Sequence, residues 1–108
     1  MFSKLVNSIF SFFLSVLLFV AIPSNEGAQL FGQHCIGCHL NGGNIIRRGK
    51  TLKLAALEKN GILSAADISA IAANGKGQMG AYGDVLGSAG INAVAEYVWQ
   101  QALTNWPS

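Results

Sequence analysis

Cys35-Ile36-Gly37-Cys38-His39 sets two thiols three residues apart and an imidazole directly after the second. C-x-x-C-H is the spacing at which a chain holds a c-type haem covalently: both thiols reach the vinyl groups of one porphyrin, and the histidine is placed to meet the iron from one face. Other chemistries fit less well. A Cys2His2 zinc site needs a second ligand pair, and no Cys or His follows His39. A redox-active dithiol belongs between a strand and a helix of an α/β unit, and no strand alternation flanks this motif. A disulfide across two intervening residues closes a small strained ring and staples little.

A haem that carries electrons fills both axial positions, so that iron changes oxidation state with little rearrangement. Beyond the leader described below, His34 and Met79 are the obvious candidates for the second position. His34 adjoins Cys35, on the segment tied to one edge of the ring, and is badly placed to cross to the opposite face. Met79 lies 40 residues beyond His39, within Gly75-Lys76-Gly77-Gln78-Met79-Gly80-Ala81-Tyr82-Gly83. That stretch is too rich in glycine for helix or strand and reads as a flexible loop able to wrap the ring. A thioether is soft, favours ferrous iron and raises the potential relative to two histidines. A lone methionine is commonly core filler, but this one lies off any helical stripe. The expected site is therefore Cys35 and Cys38 on the porphyrin of one haem c, with His39 and Met79 on its iron, and no catalytic residue.

These residues need a small scaffold. The chain has 108 residues, enough for one domain. Lys4, the apolar run Ile9 to Ile22 and the breaker-rich Pro23-Ser24-Asn25-Glu26-Gly27 follow the layout of a secretory signal peptide. Cleavage is expected after Ser24, which makes residues 1–24 a leader and 25–108 the domain. The run is shorter than the roughly 20 apolar residues of a spanning helix, although counting back to Leu5 leaves an uncleaved anchor open. The remaining 84 residues are near the size at which a protein-only core becomes marginal, and a buried haem would supply missing apolar volume. Export also suits a chain whose two cysteines are both committed.

Without Lys4, six basic side chains face five acidic ones, and no basic run or aromatic-basic interleaving points to nucleic acid. The one local cluster, Arg47, Arg48, Lys50 and Lys53, reads as solvated surface or as a docking patch or propionate neighbour. Helical patterns cover 26–34, with Gly27 and Phe31 on one face inviting a close crossing, and Thr51 to Asn60. Ser64 opens another helix with Asp67 three residues on, a capping-box pattern, and Asn74-Gly75 closes it. A last helix is predicted from about Gly90 to Asn105, with Ile91, Val94, Ala95, Val98 and Ala102 on one face and Tyr97 and Trp99 flanking it. Asn41-Gly42-Gly43-Asn44 is a loop able to take positive φ. No strand pattern appears, so the class is all-α with long loops.

Taken together, Gly27 and Phe31 before Cys35-x-x-Cys38-His39, then Asn41-Gly42-Gly43-Asn44, Lys50-Thr51-Leu52, Gly75-Lys76, Met79-x-Ala81-Tyr82-Gly83 and Tyr97-Val98 resemble the cytochrome c6 family along nearly the whole mature chain. The resemblance implies a class I cytochrome c fold of four to five short helices around one covalent haem, the first helix packed across the last. It implies a monomeric one-electron carrier of the thylakoid lumen or periplasm, not an enzyme, moving electrons between a cytochrome bf complex and photosystem I or a terminal oxidase. No nucleic acid and no stable membrane insertion after cleavage are expected. Two departures stand out: Gly80 where the family usually has Pro after the ligand Met, and Ala73 in the place of a polar Gln side chain that lies against the haem near that Met. They suggest a c6-like paralogue of lower potential, with a Met loop less restrained than usual.

Two other functions use the same residues. A haem-based sensor or small-ligand binder would let Met79 leave, as Gly77 and Gly80 permit. A peroxidase would need polar acid-base groups on an open iron face, where the Met79 segment offers only Lys76 and Gln78.

Overall fold

The computed structural model describes residues 25–107. The expected leader, residues 1–24, lies outside the described residues. Five α-helices follow in order: α1 (Glu26–His34), α2 (Ile36–His39), α3 (Leu54–Lys59), α4 (Ala65–Asn74) and α5 (Gly83–Leu103). Single 3-10 turns at Leu40–Gly42 and Arg48–Lys50 shape the segment between α2 and α3. Among the described residues there is no strand beyond one isolated bridge, and the class I cytochrome c architecture expected from the sequence is the one observed.

The two terminal helices cross at glycine. Gly27 is buried on α1, and a Cβ there would run into the Ala93 carbonyl oxygen and the Tyr97 Cβ of α5. Only hydrogen at that position lets the backbones approach so closely. Beside it Phe31, buried in α1, meets the Tyr97 ring at 5.4 Å between centroids and 54° between planes.

α4 packs along the other side of α5. Its start is fixed by the Ser64 and Asp67 pair: the Asp67 amide donates to Ser64 Oγ at 3.2 Å, and the Leu63 amide donates to Asp67 Oδ2 at 2.9 Å. Its end is fixed by Gly75, at φ 76°, whose amide donates to the Ile71 carbonyl at 2.7 Å. Caps of this kind satisfy terminal backbone groups that the helix cannot. The core is formed by Phe31, Leu57, Ile68, Ala72, Ile91, Val94, Ala95, Val98 and Ala102, and no polar side chain is buried among the described residues. The predicted α5 stripe is entirely within it.

Two boundaries differ from expectation. α5 starts at Gly83 rather than near Gly90, and bends at Gly87, where φ 70° interrupts the helical backbone. Gly83, read as the end of the glycine-rich loop, instead opens the helix, and Gly87 is built into it as a bend. α3 starts at Leu54 rather than Thr51, because Arg48–Lys50 is already wound into a 3-10 turn. Asn44 and Asn60 hold that turn. Asn44 Oδ1 accepts the amides of Ile46 and Arg47 at 3.0 and 2.8 Å, while Asn60 Nδ2 donates to the Gly49 and Ala56 carbonyls at 3.0 and 2.8 Å.

Candidate functional site

α1 delivers Cys35 at its end, and α2 carries Cys38 and His39 one turn further on. The Cys38 and His39 amides both donate back to the Cys35 carbonyl, at 3.2 and 3.0 Å, which keeps the three residues on one tight turn. Cys35 is half-buried and packs against the core, and burial pushes its thiol above the ordinary range; Cys38 is exposed. Both are free thiols here.

His39 is oriented by the loop that follows it. Its Nδ1 lies 2.7 Å from the Gly43 carbonyl oxygen. A carbonyl only accepts, so Nδ1 carries the proton and Nε2 keeps the lone pair that a metal needs. The loop reaches this position through Asn41 at φ 53° and Gly42 at φ 76°, the positive-φ bend expected of Asn-Gly-Gly-Asn.

Met79 stands on a closed turn. The Lys76 amide donates to the Met79 carbonyl at 3.1 Å and the Met79 amide returns to the Lys76 carbonyl at 3.0 Å. Gly77 turns between them at φ 59°, and a Cβ on Gly75 would fall 2.8 Å from the Met79 carbonyl oxygen. The segment expected to be flexible is thus pinned at both ends of a short bridge, and Gly80 sits just beyond it with open space around its α-carbon.

Cys35, Cys38, His39 and Met79 all line one cavity of about 450 Å3. Phe31, Leu52, Leu57, Ile62, Ile68, Ile71, Ala72, Val94 and Val98 make up its apolar wall. That size and lining are those of a cofactor pocket. The donor set also fits a porphyrin: two thiols, an imidazole with its Nε2 available and a thioether share a largely apolar slot, bordered by polar side chains such as Arg47, Lys50 and Asn60. Among the described residues no three His, Cys, Asp or Glu side chains are grouped so as to hold a metal ion unaided. A porphyrin, which brings nitrogens of its own, suits this site where a bare ion does not.

His34 lines the same cavity, where its ring meets the edge of Tyr82 at 6.2 Å. Of the basic cluster, Arg47 and Lys50 border the cavity, and Lys50 Nζ donates to Asn60 Oδ1 at 2.8 Å. Asn60 also lines the cavity, a role that sequence reasoning missed; only its place at the end of a helix pattern drew attention to it.

The expectation for Ala73 needs correction. Ala73 does not line the cavity; it faces a separate shallow cleft with Ser69, Gly83, Gly87 and Ile91, under the start of α5. The α4 residues on the cavity are Ile68, Ile71 and Ala72, and the last two are those nearest in sequence to the Met79 loop. The helical period keeps Ala73 off the cavity, since it lies two positions from Ile71 and so on nearly the opposite side of the helix. The apolar surface near Met79 therefore belongs to Ile71.

Comparison with known proteins decides the family. A family model described as cytochrome c oxidase, cbb3-type, subunit III, matches residues 23–98. A cytochrome c6-like protein of Nostoc sp. strain PCC 7120 is 48% identical over 107 residues, covering 97% of this chain and 96% of the relative. The chain belongs to the cytochrome c6 family. Among solved structures, cytochrome c6B from Synechococcus sp. WH8102 is 55% identical with a TM-score of 0.76, covering 81% of this chain and 99% of that one. Cytochrome c6C from Synechococcus sp. PCC 7002 is 57% identical with a TM-score of 0.73, covering 75% and 99%. The protein is thus a c6-like paralogue and a c-type cytochrome with covalently bound haem c. No helix among the described residues is long and apolar enough to cross a membrane.

Proposed function

We propose that this cytochrome c6-like protein is an exported, soluble one-electron carrier whose haem is fixed by Cys35 and Cys38 and whose iron is held by His39 and Met79. The convergence of those four side chains on one apolar cavity carries the reading. When bound, the haem supplies a ferric/ferrous couple. The chain's own residues hold and tune it. The Gly43 carbonyl steadies the His39 ring, and the Lys76 to Met79 bridge presents the thioether. Phe31, Leu57, Ile68, Ile71 and Val98 keep water from the slot. Arg47 and Lys50, at the cavity's border, stand where propionate charge is best balanced.

Residues 1–24 serve as the export signal, which puts the mature protein in the thylakoid lumen or periplasm. Its partners, by likeness to the family, are a cytochrome bf complex and photosystem I or a terminal oxidase, met as a monomer in brief encounters of small interface. The apolar Ile71 wall favours a lower potential than a polar side chain there would give, and a second use as a ligand sensor is disfavoured by the bridge that holds Met79.

Substitution tests the ligand set. In haem-loaded protein, Met79→Ala should convert the ferric spectrum from low-spin thioether-ligated to high-spin and open the iron to added cyanide or imidazole. Leaving haem attached by both thioethers, as read by the mass of the denatured chain, would show that attachment is independent of Met79. A spectrum unchanged by Met79→Ala would overturn the assignment.

A further inference from the structure

Trp106 lies outside the cavity and outside every motif singled out above, yet it touches the loop that orients His39. Its Nε1 donates to the Leu52 carbonyl at 3.0 Å, across 54 residues of chain. The Leu52 amide in turn donates to the Gly42 carbonyl at 2.7 Å. The Trp106 ring lies directly on Gly42, where an added Cβ would come within 2.5 Å of ring carbons. Gly42 is buried, and the next residue, Gly43, supplies the carbonyl bound by His39 Nδ1. On its other side the indole packs against Phe31 at 5.4 Å and Tyr97 at 6.2 Å between centroids, so it is anchored in the α1–α5 crossing.

The backbone at this point supports a specific role. Asn105 and Trp106 both take positive φ, 59° and 51°, a conformation that L side chains seldom adopt. Strain of this kind persists where surrounding contacts over-determine it, and here they do: the Trp106 amide donates to the Gln101 carbonyl at 2.8 Å while the ring fills the space over Gly42. The chain bends back after α5 to place this one ring.

We propose that Trp106 is a positioning residue for the proximal histidine: it clamps the Gly42-Gly43 peptide unit, and through the Gly43 carbonyl sets the strength of the hydrogen bond from His39 Nδ1. This rests on the reading of His39 as an iron ligand. A strong hydrogen bond to Nδ1–H makes the imidazole a better donor and favours ferric iron; releasing it favours ferrous iron. Trp106→Leu removes both the indole donor and the flat ring from Gly42. Trp106→Phe keeps a ring and removes the donor alone, and guards against a leucine variant that fails to hold haem. Ile91→Ala, a truncation of a buried α5 residue that does not line the cavity, reports on general loosening.

Haem-loaded protein with isotopically labelled histidine is studied by NMR in the ferric state and by redox titration. The unsubstituted protein should show a hyperfine-shifted Nδ1–H from His39 that exchanges slowly with solvent. In Trp106→Leu that proton should exchange at least about tenfold faster, and the midpoint should rise by about fivefold in the electron-exchange equilibrium, which is roughly 40 mV for one electron. Trp106→Phe should lie between, and Ile91→Ala should lower thermal stability with neither signal moved. A missing hyperfine-shifted His39 resonance in the unsubstituted protein would overturn the ligand reading and the proposal with it. A normal resonance with unchanged exchange and midpoint in the Trp106 variants, or equal shifts in Ile91→Ala, would overturn the role of Trp106 alone.

Discussion

Ile71 gives the wall beside Met79 its character. It ends α4 by accepting the Gly75 amide through its carbonyl, and its side chain borders the cavity with the thioether. An amide there could donate toward the sulfur and weaken its hold on ferric iron; the sec-butyl group of Ile71 donates nothing. Ile71→Gln should therefore raise the midpoint. A hydrogen bond worth about 0.5–1.5 kcal/mol corresponds to roughly 20–65 mV for one electron. Ala73→Gln, on the face turned away from the cavity, should leave the midpoint where it is. Redox titration of the two variants side by side decides between these positions, and a shift confined to Ala73→Gln would contradict the placement. That Cys35, Cys38, His39 and Met79 would meet at one cavity was readable from type and spacing, because each is defined by what it can bond. The places of Ile71 and Asn60 were not, since an aliphatic side chain in a helix and a polar one at its end carry no local sign of facing a cofactor.

At the scale of elements, the crossing of α1 and α5 depends on the missing side chain of Gly27. Gly27→Ala would push a methyl group into the backbone of Ala93, which cannot swing aside as a side chain does. Overpacking of this kind costs about 1–3 kcal/mol, and the haem-loaded variant should unfold at correspondingly lower denaturant. Gly32, on the exposed face of the same helix, has nothing within 4 Å of an added Cβ. Gly32→Ala should be neutral, or stabilising by up to about 1 kcal/mol through helix propensity. Equal losses at both positions would mean that helix composition, rather than the crossing, governs stability. The helices with strong local signals were legible: the Ser64 and Asp67 pair, Gly75 after α4, and the Gly27 and Phe31 face of α1. The early start of α5 was not, because Gly83 reads as the end of the glycine-rich loop, and the turn it opens joins the rest of the helix only through the bend at Gly87. The 3-10 turn at Arg48–Lys50 depends on Asn60, ten or more residues away, and no local pattern announces such a partner.

For the whole molecule, a core with few large buried side chains surrounds a cavity lined mostly by apolar groups. A porphyrin bound there would cover that surface and so add to folding stability. The cavity draws on every helix: Phe31 of α1, Cys38 and His39 of α2, Leu57 of α3, Ile68 and Ile71 of α4, and Val94 and Val98 of α5. Loops complete it with Met79 and Leu52. Under the proposed ligand set, this arrangement would offer a haem iron two different axial donors within one shell, as a one-electron carrier requires. The most direct test is a spectroelectrochemical titration of the haem-loaded mature protein, recording the ferric spectrum together with the midpoint. A single one-electron wave is predicted, with the low-spin thioether-to-iron signature in the ferric state and a midpoint below that of the Ile71→Gln variant. A high-spin ferric spectrum would contradict the electron-carrier account.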